Sequence, residues 1–229
     1  MKSELSRRKF LTHFGLVTVS LPFFSYTTVN ALTPGRVPGL KIGYSAITWS
    51  GNDVQAMKDI AALGFKGIQL RSNILKEYGT KPEAVKELLK QYNLEFPMFS
   101  SGSANINTGD DEAVIQMHLD HASFVKSVGG KFIQVTNSSR PKEGVPSQSD
   151  LQKYGRILNE IGKRTRDIGI QTTYHNHMHQ LGETPQEVDV ILENCDSENV
   201  KLLLDVAHYH QGGGDPVKAI RQYQNRIKA

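Results

Sequence analysis

Short apolar runs alternate with longer amphipathic segments along the chain after residue 40. The runs predict six β-strands, at 41–45, 67–71, 94–99, 131–135, from 170, and at 200–204. The segments between and after them predict six α-helices, at 53–63, 82–92, 111–128, 149–168, 185–194 and 216–227, with Asp53 as the cap of the first. Because crossover connections between parallel strands are right-handed, this order predicts an α/β fold that curls toward a TIM (β/α)8 barrel.

The predicted barrel is incomplete. A TIM barrel has eight strands and typically about 250 residues, whereas only six βα units precede Ala229. An open sheet of six units is the alternative, and it would have two exposed edges to cover. We therefore expect a barrel domain over 40–229 that lacks the last two βα units.

The first 31 residues predict a targeting segment rather than part of the fold. A twin-arginine pattern at Arg7 and Arg8 precedes an apolar stretch at 14–24 that is too short and interrupted for a membrane span. Small residues around Ala31 offer a cleavage site, and 32–39 is a linker rich in proline and glycine. We expect export by the twin-arginine pathway to the periplasm, with no stable membrane anchoring after cleavage.

Composition and charge exclude several classes of function. The chain has one cysteine, Cys195, so an intramolecular disulfide and a cysteine-based zinc site are ruled out. The net charge of +4 comes largely from the predicted signal segment, and no basic stripe with interleaved aromatics remains after it. Nucleic-acid binding is therefore not expected. The sequence leaves homo-oligomerisation open.

Histidines and an aspartate cluster at the ends of the fifth and sixth predicted strands. His175 and His177 share one face of their strand because side chains alternate, and Asn176 lies on the other. Asp205 and His208 follow the next strand, where the chain can turn both toward the same cavity. Imidazole and carboxylate donors suit Mn, Co, Ni or Zn better than Ca or Mg. The alternative is that these are ordinary polar residues at a loop rim.

Several segments resemble the xylose isomerase-like TIM barrels, and most of all the sugar phosphate isomerase/epimerase and inosose dehydratase group. The resemblance extends over about 40–227. The segments that carry it are 42–44 with 47–49, 62–70, 174–177, and 204–208 with 213–216.

The resemblance implies a divalent metal ion, with manganese favoured and Co, Mg or Zn as alternatives. In such relatives the ligands often come from the ends of strands five to eight, and His175 and Asp205 match the first two of these positions. The histidine of strand seven and the glutamate of strand eight have no counterpart. We expect His175 and Asp205 to bind the metal and His177 and His208 to be catalytic. The residues expected to contact substrate are Tyr44, Trp49, Gln69, Gln134 and Asn176.

The implied activity is isomerisation or epimerisation of a sugar or keto sugar through an enediolate. A dehydratase of the inosose type or a keto-sugar lyase on the same scaffold is the first alternative. The second is an inactive, truncated barrel that only binds a ligand or a partner. Tyr44 and Trp49 could equally be core residues, and Gln69 and Gln134 could orient substrate but not transfer a proton.

A second histidine pair, His118 and His121, lies three residues apart in the third predicted helix. Helical spacing brings such residues together. However, the outer helices of a barrel face away from its mouth, so we do not expect a metal site there.

Overall fold

The computed structural model describes residues 42–136, 138–141 and 144–228. The predicted signal segment at 1–31 and the linker at 32–39 lie outside these residues. Within them, six strands form one parallel sheet in the order of the sequence, which confirms the predicted βα repeat. The strands are β1 Gly43–Ser45, β2 Gly67–Arg71, β3 Glu95–Ser103, β4 Phe132–Thr136, β5 Gln171–His175 and β6 Val200–Leu203.

Eight α-helices accompany the strands in the described part of the chain. They are α1 Asp53–Ala62, α2 Leu75–Tyr78, α3 Pro82–Gln91, α4 Asp111–Val128, α5 Gln148–Asp167, α6 Pro185–Glu193, α7 Val206–Gln211 and α8 Pro216–Gln222. The short helices α2 and α7 were not expected, because four or six residues carry too little periodicity to signal a helix. Across the described ranges, no helix has the length and hydropathy needed to cross a bilayer.

The two faces of the sheet have different surroundings. On the outer face, the Tyr174 ring packs against Tyr154 of α5 with centroids 6.0 Å apart, and Thr172 bonds to Thr165 of the same helix. Because strand side chains alternate, Thr173 and His175 point the opposite way, onto the inner face. The helices therefore cover one face of β5, and the other is left for a site.

Two predicted helix ends are wrong. Asn52, not Asp53, caps α1 by accepting the backbone N–H of Gln55, and Asp53 is the buried first residue of the helix. The last helix, expected to reach 227, ends at Gln222.

The residues after α8 extend along β6 instead of continuing the helix. The backbone N–H of Leu202 donates to the carbonyl of Arg226 at 2.8 Å, and that of Lys228 donates to Leu202 at 3.0 Å. The Arg226 guanidinium also bonds to the carbonyls of Leu192 and Cys195 at the end of α6. This segment takes the position, parallel to β6, that a seventh barrel strand would occupy.

Candidate functional site

Three side chains from neighbouring strand ends converge at one edge of the sheet. His175 ends β5, Asp205 follows β6, and His208 lies in α7; their ligand atoms are all within 4.8 Å of one another. Oδ2 of Asp205 is 4.0 Å from Nε2 of His175 and 3.8 Å from Nε2 of His208. These distances are too long for hydrogen bonds. They are about half an ångström longer than the roughly 3.4 Å between tetrahedral donors that each lie about 2.1 Å from an ion, so small side-chain movements would bring the three groups onto one ion.

The two carboxylate oxygens of Asp205 have separate surroundings. Oδ1 accepts the backbone N–H of His208 at 2.8 Å, so Asp205 is the N-cap of α7. Oδ2 is left to face the two imidazoles. The Asp-x-x-His spacing is thus a capping spacing, and the cap turns both side chains toward the same place, as the sequence suggested.

Asn176 fixes the backbone at Asp205 from the neighbouring strand. Its Oδ1 accepts the Asp205 N–H at 2.9 Å, and its Nδ2 donates to the Asp205 carbonyl at 3.1 Å. The residue is only 1% exposed. A buried amide engaged at both ends favours a bracing role over the substrate contact predicted for Asn176.

The His175 ring enters the site in the form that binds metals. Burial lowers its pKa; the Asp205 carboxylate opposes this shift, while the rings of His177 and His208 add to it. A ring with a lowered pKa is neutral at pH 7, and neutral imidazole is the ligand form. Nδ1 of His175 is buried and has no hydrogen-bond partner among the described residues. The donor set and its protonation fit a divalent cation.

His177 lies beside this group, and only its Nδ1 has a hydrogen-bond partner among the described residues. Its Nδ1 is 2.7 Å from the carbonyl of Met178, so Nδ1 carries the proton and donates it. Nε2 is then unprotonated and can accept a proton. The His177 ring packs on that of His208, with centroids 3.8 Å apart, and burial lowers the pKa of His208. The predicted catalytic pair is therefore brought together, although His208 also belongs to the group that could hold a metal.

An ion pair that the sequence did not reveal holds the loop after β5. Arg140 donates to both carboxylate oxygens of Glu187, at 2.7 and 2.9 Å, from the loop after β4. Glu187 also accepts the backbone N–H groups of Gly182 and Glu183. The loop that carries His177 is thus tied to α6 and to the preceding loop. The spacing of Thr184 and Glu187, typical of a capping box, was the signal that could have found the glutamate.

The remaining residues predicted to contact substrate lie elsewhere on the sheet. Gln69 and Gln134 bond to each other across the inner face, and Gln134 is buried. Tyr44 pairs with the buried Ile68, on the face that the helices cover, and is itself 41% exposed. Trp49 packs edge-to-face on Tyr44, and its indole N–H donates to Asp59 of α1 at 2.8 Å. These contacts favour packing rather than a wall against a sugar ring.

Known relatives share the sequence pattern over most of the chain. An inosose dehydratase from Clostridium perfringens (strain 13 / Type A) is 25% identical over 210 residues, which cover 82% of this chain and 69% of the relative.

Solved structures share the fold. D-psicose 3-epimerase from Clostridium cellulolyticum H10, determined with D-tagatose, matches with a TM-score of 0.70 at 16% identity, over 82% of this chain and 71% of its own. IolI, determined with a bound zinc atom, matches with a TM-score of 0.64 at 14% identity, over 82% and 70% of the two chains. These two likenesses establish that the six βα units follow the course of a TIM barrel. The model of the xylose isomerase-like TIM barrel family matches residues 57–229, and the chain belongs to that family.

Proposed function

We propose that the chain is a divalent-metal-dependent enzyme that removes a proton from the carbon beside the carbonyl of a polyhydroxy ketone. The observation that carries this proposal is the convergence of His175, Asp205 and His208 at the ends of β5 and β6. The names of the relatives support the substrate class: one is an inosose dehydratase and another a ketose epimerase. The zinc atom bound in the IolI structure supports a divalent metal on this scaffold.

The three converging side chains would hold the cation. Asp205 offers a negative oxygen, and His175 and His208 offer neutral nitrogens. A bound divalent cation would supply positive charge beside the substrate carbonyl and offset the negative charge of an enediolate. Its identity among Mn, Co, Ni, Mg and Zn is for experiment to decide, since this donor set suits several of them.

His177 is the proposed base. Its unprotonated Nε2 accepts the proton from the carbon beside the carbonyl, while the Met178 carbonyl holds the Nδ1–H and stabilises the imidazolium that forms. Arg140 and Glu187 keep the loop of His177 in place through their ion pair. In an isomerase, His177 returns the proton to the neighbouring carbon; in an epimerase, a second acid on the opposite face of the enediolate would have to deliver the proton.

Dehydration is a second outcome of the same first step. After the proton has moved to His177, the C–O bond at the next carbon breaks, and the leaving hydroxyl takes the proton from His177 to depart as water. The inosose dehydratase relative favours this outcome, and the ketose epimerase fold favours proton return. Both outcomes require the same base and the same three ligands.

The test is an incubation of the full-length chain in D2O with Mn2+ and either an inosose or D-tagatose, followed by NMR. Deuterium at the carbon beside the carbonyl, with no loss of water, identifies an isomerase or epimerase; loss of water identifies a dehydratase. His177→Gln should abolish both reactions at unchanged Mn2+ affinity. If the wild-type chain binds Mn2+ but neither reaction occurs with Mn, Co, Zn or Mg, the enzyme proposal is wrong.

A further inference from the structure

Strand β3 contains one residue too many for its pairing with β4. Ser100 pairs with Gln134, but the next pairs are Gly102 with Val135 and Ser103 with Thr136. Ser101 is therefore an inserted residue, a β-bulge, and Gly102 beside it has a φ of +98° that favours glycine. Without the bulge, Gly102 rather than Ser103 would lie opposite Thr136.

The bulge determines which residue of β3 lies in the same row of the sheet as His175 of the candidate metal site. Thr136 pairs with His175 in the next strand, so Ser103, Thr136 and His175 form one row across β3, β4 and β5. Paired residues of parallel strands lie on the same face, so the row is on the inner face with His175. Neighbouring strands are about 4.8 Å apart, which puts the backbones of Thr136 and Ser103 at about 5 and 10 Å from that of His175. Ser103 is exposed and Thr136 half-buried.

A histidine pair, of which His118 is buried and His121 half-buried, holds the inserted residue from the other face. Oγ of Ser101 is 2.6 Å from Nδ1 of His118 and 2.9 Å from Nδ1 of His121, both on α4. Ser101 and His118 are 1% and 0% exposed. His118 and His121 are the second histidine pair of the sequence, and they contact β3 from the outer face of the sheet.

The contacts of this cluster constrain its protons. A hydroxyl carries one proton and two lone pairs, so Ser101 Oγ can donate to only one of the two rings. Nδ1 of His121 is also 3.1 Å from the Ser101 carbonyl, so this nitrogen is the donor. Ser101 then donates to His118, whose ring is neutral: burial, with a smaller contribution from His121, lowers its pKa to about 3. We call Ser101, His118 and His121 the bulge clamp.

We propose that Ser103 and Thr136 bind hydroxyl groups of the substrate as it extends from the metal site toward β3, and that the bulge clamp holds Ser103 in that position. A side-chain hydroxyl both donates and accepts, which matches a sugar hydroxyl without selecting for charge. The row therefore favours a ketone with several carbons beyond the carbonyl over a three-carbon one. This inference rests on the proposed function, because it takes the polyhydroxy ketone from there.

The first test measures sugar binding to the Mn2+-loaded full-length chain by calorimetry. Ser103→Ala and Thr136→Ala should each weaken D-tagatose binding about five- to tenfold, the loss expected for one hydrogen bond. Dihydroxyacetone, which lacks the distal hydroxyls, should bind to both variants as to the wild type, and Mn2+ affinity should stay unchanged. If the wild type binds D-tagatose and both variants bind it equally well, this inference fails alone. If the wild type binds no ketone at all, the proposed function fails with it.

The second test addresses the clamp. His118→Leu removes the acceptor for Ser101 and should weaken D-tagatose binding as Ser103→Ala does. His118→Asn offers an amide oxygen near the position of Nδ1 and should restore binding. Ser101→Ala, which removes only the hydroxyl, replaces the leucine variant if that one does not fold. A clamp variant that weakens dihydroxyacetone binding as much as D-tagatose binding, or weakens neither, would overturn the positioning role.

Discussion

Asp205 carries two separable tasks, and Asp205→Asn divides them. In the variant, the amide oxygen can take the place of Oδ1 and accept the His208 N–H at the start of α7. Asparagine and aspartate are about equally good N-caps, so the free energy of unfolding should change by less than about 0.5 kcal/mol. Asp205→Ala loses the cap as well, which costs about 1 kcal/mol and lowers the Tm by about 2–4 °C for a domain of this size.

Metal affinity, unlike stability, should fall in both variants. Both variants lose the negative Oδ2, which lies 4.0 and 3.8 Å from the two imidazole nitrogens. Loss of groups that only support a ligand commonly weakens binding 10- to 100-fold, so loss of the ligand itself should weaken Mn2+ binding by at least about 100-fold. This factor corresponds to about 2.7 kcal/mol.

Calorimetric titration with Mn2+ and thermal unfolding without metal measure the two effects on the full-length chain. Asp215→Asn is the matched control, because Asp215 caps α8 in the same way but does not belong to the converging group. It should bind Mn2+ like the wild type. The reasoning is refuted if Asp205→Asn binds Mn2+ with wild-type affinity, or if it loses as much stability as Asp205→Ala.

Three further predictions concern the supporting residues. Asn176→Ala removes both bonds to the Asp205 backbone and should weaken Mn2+ binding about 10- to 100-fold in the same titration. Because the pKa of His118 is lowered to about 3, the unfolded chain takes up a proton below about pH 6.5 that the native chain does not. The unfolding free energy should therefore be unaffected by His118 above that pH and should fall by on the order of 3 kcal/mol between pH 7 and 4. Urea unfolding measures this loss, which should be absent in His118→Asn. Arg140→Met leaves the carboxylate of Glu187 poorly paired and should lower the unfolding free energy by about 2–3 kcal/mol in urea unfolding. Adding Glu187→Gln should recover part of the loss, because the neutral amide oxygen can still accept the N–H groups of Gly182 and Glu183.

The sequence was a good guide to the fold and to the edge that carries the site. Apolar runs and the glycines that end helices reveal the order of strands and helices, because burial imposes a regular spacing of apolar residues. His175 and Asp205 are recognisable because they follow such runs. The face on which Tyr44 lies could not be predicted, because a strand of three residues is too short for its period to show which face each residue takes. The last helix was overextended because no glycine or proline interrupts 216–227. Pairing with β6 is a tertiary contact and overrides the local preference.

The supporting residues could not have been found in the same way. Asn176 acts through two bonds to the backbone of another strand, and Arg140 pairs with a residue 47 positions away. The bulge at Ser101 depends on a register that two strands set together. None of these features produces a periodic pattern in the sequence, since each depends on a partner that is distant in sequence.

The most direct test of the metal site is a crystal structure of the full-length chain grown with Mn2+, with diffraction data collected at the manganese absorption edge. The account predicts an anomalous peak within about 2.3 Å of Nε2 of His175, Oδ2 of Asp205 and Nε2 of His208. A peak bound elsewhere, or no peak at a concentration where calorimetry shows binding, would contradict it.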